Sequence, residues 1–374
     1  MSNRCAIILS AFTPPYALAV CALLAWPGTA SAGTRTFVVG YFGQATYSQD
    51  SDCPAGLNPD ITVQYLRNLK DLGLSQERVD EIARNVAEGE GNAELNELMQ
   101  YRGRIDGQPV SAYTYPAAVK DPNLHASVGR EAYGFNLDDR IDPNDFVDPE
   151  TQEKGVDDAL ARAFGCMRPF RGSLAGRPTY WAWAWGQLKD SQPAWLITIE
   201  GADLTKDGDV TVTFDRALHY VKSNIDGSPR ADVTYQIDPD QRSHNVMKGR
   251  LTDGTVVIAD YPTFRMLQNP MVVNNFQLIN THMRLNLKPD GNLDGLIGGY
   301  QPWADIYSGF ASGAPGMEMC ITGDIPGLYY LLKKHADALP DPKTGENAAI
   351  SAAYYLEAVP AFIVSPDGKL IAGP

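Results

Sequence analysis

The sequence predicts an α+β protein: an antiparallel β-sandwich or open barrel over residues 178–310, a helical layer before it and a C-terminal helical cap over residues 311–374. Three observations carry this expectation. Short β-branched and aromatic runs recur from Trp195 onward, separated by Asp207-Gly208, Asp226-Gly227, Asp253-Gly254 and Asp290-Gly291, dipeptides that favour tight hairpin turns. Apolar residues upstream of them follow helical spacing instead, as do those after Asp324-Ile325-Pro326.

Residues 1–32 have the form of a cleaved signal peptide. Arg4 supplies the positive start, Tyr16 to Trp26 the apolar run, and Ala30-Ser31-Ala32 a small-x-small cleavage site. That run is too short for a bilayer span, which needs about 20 apolar residues. The competing reading, a lipidated cysteine in Leu18-Ala19-Val20-Cys21, puts bulky Val20 where a small residue is required. The chain is expected to be exported to the periplasm or the extracellular space, with no transmembrane segment.

Residues 33–177 are expected to hold a strand, helices and an acidic loop. Thr36 to Tyr41 is β-branched and aromatic and reads as the opening strand. A helix follows with Asn58 as its N-cap and Pro59 at its first position, and Ile61, Tyr65, Leu69 and Leu72 share its buried face. Ser75 caps the next helix, whose stripe is Val79, Ile82 and Val86, and a third runs from Ala93 to Met99. Residues 138–158 are rich in acids and broken by Pro143, Pro149 and Gly155; Val156, Leu160 and Phe164 then mark a closing helix.

The β core is expected in the runs that begin at Trp195, Val210, Val233, Thr255, Phe276 and Met283. Leu328, Leu331 and Leu332 share a helical face in the cap, Ile350 to Ala358 is a further helix candidate, and Phe362-Ile363-Val364 with Leu370-Ile371 forms a closing hairpin.

Composition excludes some functions. The formal net charge is −14, with no cluster of Lys and Arg suited to a phosphate backbone, so nucleic acid is not an expected partner. Beyond the leader the cysteines are Cys53, Cys166 and Cys320; in an oxidising compartment Cys53 and Cys166, both in loop-like sequence, are the expected bridge, which leaves Cys320 over. The chain has no H-E-x-x-H, G-x-S-x-G, G-x-G-x-x-G or Walker-type loop, and its five histidines stand singly.

Two constellations are candidate sites. Asn136, Asp138, Asp142, Asn144, Asp145 and Asp148 bring oxygen donors close together in sequence, and a structural Ca2+, which takes about six to eight oxygens, is the one cofactor expected. The segment departs from the EF-hand template, since Arg140 stands at a ligand position and the central glycine is missing; a solvated acidic loop is the alternative. Trp181, Trp183 and Trp185 alternate with small residues, so on an extended chain they would line one face and stack on sugar rings or grip a partner.

The function expected is a non-enzymatic exported binding protein whose ligand is a glycan or an envelope protein. A secreted hydrolase with paired carboxylates and an accessory subunit of an envelope complex are the alternatives.

Overall fold

Eight antiparallel strands close into a barrel in the computed structural model, which describes residues 33–268 and 275–373. They are β1 (Thr34–Gln44), β2 (Trp195–Gly201), β3 (Gly208–Arg216), β4 (Asn245–Thr252), β5 (Thr255–Leu267), β6 (Asn275–Leu287), β7 (Leu293–Pro302) and β8 (Asn347–Val364). Each pairs with the next in chain order, and β8 returns to β1 with Phe42 opposite Leu356 and Gln44 opposite Tyr354. Closure leaves the barrel without an unpaired edge. Of the two expected β architectures the barrel is the one that forms, and it is closed.

Alternation along each strand sends one set of side chains inward. Phe42, Trp195, Phe214, Phe264, Phe276 and Tyr354 meet ring to ring across the lumen, with centroids 4.6 Å apart for Phe42 and Trp195 and 5.0 Å for Phe276 and Tyr354. The Tyr354 hydroxyl donates to Gln301, also buried. Rings from six strands fill the middle of the barrel, so the chemistry of interest lies on its outer face.

Several elements follow the sequence closely. The turn Asp253-Gly254 has φ of 49° and 79°, both positive, and joins β4 to β5 with Thr252 opposite Thr255. Ser75 accepts from Arg78 N to cap the helix Gln76–Ala87. Cys53 and Cys166 are disulfide-bonded, with Cα atoms 5.8 Å apart, and Cys320 is free.

Others do not. Ile350 to Ala358 lies inside β8 rather than in a helix, because the barrel buries both of its faces and hides the alternation that identifies a half-buried strand. The opening strand β1 belongs to the barrel, far in sequence from the other seven strands. Val233–Gln236 pairs in parallel with the end of β8 and stands outside the barrel, and the runs at Phe276 and Met283 are one strand, irregular around Asn280, whose φ is 53°. Asn58 does not cap a helix. Its amide instead accepts from His125 N at 2.7 Å and donates to His125 O at 2.9 Å, while Asp60 stands at the N-cap.

Helices cover the barrel. α1 (Ile61–Asp71), α2 (Gln76–Ala87) and α3 (Asn92–Gln100) bury Ile61, Tyr65, Leu69, Val79, Ile82 and Met99 among themselves. α4 (Ala159–Phe164), α5 (Thr179–Leu188), α6 (Trp303–Ser312), α7 (Gly316–Ile321) and α8 (Ile325–His335) contribute to the core shared with the barrel. The layers are tied by polar groups. Glu318 accepts from the hydroxyls of Tyr65 and Tyr113, and Asp324 accepts from Asn68 at 2.7 Å and from Arg102 at 2.5 Å, all of them buried. No described helix is long and apolar enough to cross a membrane. The proposed leader, residues 1–32, lies outside the described residues.

Candidate functional site

Val156 and Leu160 turn into the core where the short strand Lys154–Val156 runs into α4, and this fixes the two acids between them. Asp157 N donates to Phe135 O at 2.9 Å, and Asp157 Oδ2 accepts from Leu137 N at 2.7 Å. Asp158 is the N-cap of α4: its Oδ1 accepts from Ala161 N at 2.9 Å. The residue is only 1 % exposed, and the Ala353 N–H also acts on its carboxyl.

A third carboxyl arrives from the far end of the chain. Asp337 follows α8 and stands at an open rim, where its Oδ1 and Oδ2 accept from Ser351 N at 2.8 Å and Ser351 Oγ at 2.5 Å. Tyr300 comes from the outer face of β7, and His335 from the last turn of α8. Together with the loop from Asp138 to Asp145 these residues enclose a polar cavity of about 400 Å3 against the barrel wall.

Burial sets its electrostatics. Desolvation pushes the Asp157 carboxyl up to about 7, and holds Asp158 well above, and Asp337 above, the usual carboxylate range despite the hydrogen bonds that favour the anions. Burial raises Tyr300 as well, helped by Asp157, Asp138 and Asp337. His335 is lowered to about 4 by desolvation and by Lys334, which makes it a neutral imidazole at pH 7, and its buried Nε2 has no partner. Perturbed groups gathered in one concavity with unsatisfied polar atoms are the physical mark of a ligand site.

The cationic groups are partly engaged. Arg140 pairs with Asp138 at 2.6 Å and with Asp142 at 3.4 Å. Arg162 lies over the Phe146 ring at 4.2 Å and donates to Asn144 O at 2.7 Å. Lys334 makes no ion pair with a described residue.

Of the acidic segment, Asp138, Asp142, Asn144 and Asp145 line this cavity. Asn136 and Asp148 do not. Asn136 donates to Arg140 O at 2.7 Å and shapes the loop, while buried Asp148 accepts from Glu150 N and Thr151 N and meets Arg284 of β6 at 3.2 Å. The six side chains do not converge on one point. Among the described residues no group of three or more His, Cys, Asp or Glu is placed to hold a metal ion.

The tryptophans do not form the shared face that an extended chain would give. Residues 179–188 are helical, and a helix turns i and i+4 to one side but i+2 to the other. Trp181 and Trp185 are buried, at 4 % and 7 % exposure, and Trp183 alone emerges, at 41 %.

Sequence reasoning placed the rim of the cavity but not its floor. Asp157 and Asp158 could have been singled out as adjacent acids just ahead of an apolar helix. Tyr300, His335 and Asp337 carry no local signal, since they meet the loop only through the closure of the fold. No protein-family profile matches the chain, and no characterised protein or solved structure matches it either.

Proposed function

We propose that this is an exported binding protein whose ligand is a small polar molecule held in the cavity of Asp157, Asp158 and Asp337. One observation carries the reading. Carboxyls, a tyrosine and a neutral imidazole whose protonation is shifted by burial gather at one open polar cavity, the arrangement that marks a small-molecule site. The cavity volume of about 400 Å3 falls within the size range of small-molecule sites, and its polar rim suits a ligand with several hydrogen-bonding groups, such as a sugar or an amine.

Export is part of the proposal. The leader-like residues 1–32 support it, and the Cys53–Cys166 bridge belongs in an oxidising compartment. Dialysis of the purified protein against a polar extract of its native medium, followed by native mass spectrometry, tests the binding role. Wild type is expected to retain a small-molecule adduct that Asp157→Asn does not. Equal retention by both proteins would refute it. Repeating the dialysis with EDTA and then with added CaCl2 tests the proposed Ca2+, which predicts a mass increment restored only by the added ion.

A hydrolytic use of the same cavity is favoured by one feature: burial raises both of the adjacent acids, Asp157 to about 7 and Asp158 well above the usual carboxylate range, as a general acid requires. That reading predicts new cleavage products when the extract is incubated with catalytic amounts of wild type and none with Asp157→Asn.

A further inference from the structure

A groove leads away from the acidic cavity. Across Arg162, Lys334 and His335 that cavity meets a chamber of about 510 Å3, which in turn shares Leu124 and His125 with a cavity of about 200 Å3. The latter shares Asn68, Asp71 and Lys120 with one of about 250 Å3. A single stretch of chain, residues 118–128, lines all three of these cavities in succession, and from residue 120 onward it belongs to no helix or strand.

Main-chain bonding along this stretch alternates. Asn58 holds both main-chain groups of His125: its side-chain amide accepts from the N–H at 2.7 Å and donates to the C=O at 2.9 Å. Ser127 N donates to Arg162 O at 2.9 Å, and Ser127 O accepts from the Arg162 guanidinium at 3.3 Å. Leu124 and Ala126 differ. Their side chains pack against the core shared by barrel and helices, and their N–H and C=O groups have no partner among the described residues. Bonding that repeats every second residue is the pattern of an extended chain paired on one edge and free on the other. A buried main-chain group without a partner costs about as much as a lost hydrogen bond, so the free groups of Leu124 and Ala126 belong to the open groove that both residues line.

We infer that the groove takes an extended polypeptide segment, which lies beside residues 124–126 as an added strand and bonds the free N–H and C=O groups of Leu124 and Ala126. This goes beyond the small-molecule cavity and requires neither Asp157 nor Asp337. In strand addition the main-chain bonds give affinity, and pockets for alternate side chains give selectivity. The cavities that meet at Leu124 and His125 supply such pockets on both sides of the paired residues. A glycan is a poorer fit, because no Trp, Tyr or Phe lines any of the three cavities and a sugar ring has nothing to stack on. A small molecule would fill one cavity and leave the free edge unpaired.

The test uses a random peptide library blocked at both ends, the same library N-methylated at every peptide bond, and a mixture of neutral oligosaccharides. Each is equilibrated with the full-length protein and read by native mass spectrometry, and amide hydrogen exchange is followed residue by residue with and without the unmethylated library. In the free protein the amides of Leu124 and Ala126 should exchange rapidly while those of His125 and Ser127 are protected. The unmethylated library should be retained about tenfold more than the methylated one and should slow exchange at Leu124 and Ala126. Ala126→Pro, which removes one donor, should weaken that retention about fivefold. Exchange in the wild type decides the question even where this variant misfolds. Failure of the library to bind, equal retention of its methylated form, or binding that leaves exchange at Leu124 and Ala126 unchanged overturns the inference. Retention of oligosaccharides in place of peptides does so as well. The small-molecule cavity stands or falls separately, on its own adduct.

Discussion

Ser351 Oγ donates to Asp337 Oδ2 at 2.5 Å while it accepts from Ala159 N at 2.8 Å. One hydroxyl on the barrel wall thus joins the residue after α8 to the first turn of α4, and these are the two segments that bring Asp337 and Asp158 to one cavity. Replacing it separates them. Ser351→Ala should lower stability by about 1–3 kcal/mol, because a buried N–H loses its acceptor and the Asp337 carboxyl loses a donor. Urea unfolding followed by tryptophan fluorescence measures this; an unchanged midpoint would mean that the hydroxyl links nothing of consequence.

The cavity makes stability depend on pH in a defined direction. A carboxyl raised from 3.8 to about 7 in the folded state, as Asp157 is, binds more protons folded than unfolded between those values. Its contribution is therefore fully present at pH 3.8 and below and is lost as pH rises toward 7. Asp158, Asp337 and Glu318, raised by burial, act in the same sense. His335, lowered to about 4, acts in the opposite one between pH 4 and 6.5. Asp157→Asn isolates a single group: its melting temperature relative to wild type should rise by about 2–5 °C between pH 4.5 and pH 7.5. A difference that stays constant over that range would contradict the assignment.

Glu318 joins the helical layers by accepting from Tyr65, Tyr113 and Ile325 N. Glu318→Ala leaves two buried hydroxyls and the Ile325 N–H short of a partner and should cost about 3–5 kcal/mol. Glu318→Gln, which keeps an acceptor, should cost less. Thermal unfolding of the two variants checks the order, and the reverse order would show that the charge rather than the acceptor holds the layers together.

The helical placement of the tryptophans predicts unequal effects. Trp181→Ala opens a cavity beside Phe170 and Tyr180 and should cost about 3–5 kcal/mol, whereas Trp183→Ala should change stability by about 1 kcal/mol or less. Denaturant titration distinguishes them. Equal, small effects would return the three rings to a common exposed face.

What was legible in the sequence was what local chemistry determines. Asp253-Gly254 specifies a turn with two positive φ angles, and the turn forms. Ser75 sits before an amphipathic run and caps it. Cys53 and Cys166 lie in loops that can approach each other. Where tertiary context decides, the local pattern misled. The stretch Ile350 to Ala358 resembles a helix until the barrel requires its last strand there, and the Trp-Ala alternation at 181–185 has the period of a strand although the chain coils. The acidic rim of the cavity followed from composition, because Asp138 to Asp145 are neighbours in sequence. The remainder did not, since Asp158 and Asp337 are brought together only when β8 closes on β1 and α8 packs above it.

The most direct measurement is a crystal structure of the wild-type protein grown after incubation with the polar extract of its native medium. The account predicts density for a small molecule in the cavity between Asp157 and Asp337, with the Asp337–Ser351 contact intact. A cavity holding solvent alone, with the extract component bound elsewhere on the surface, would contradict it.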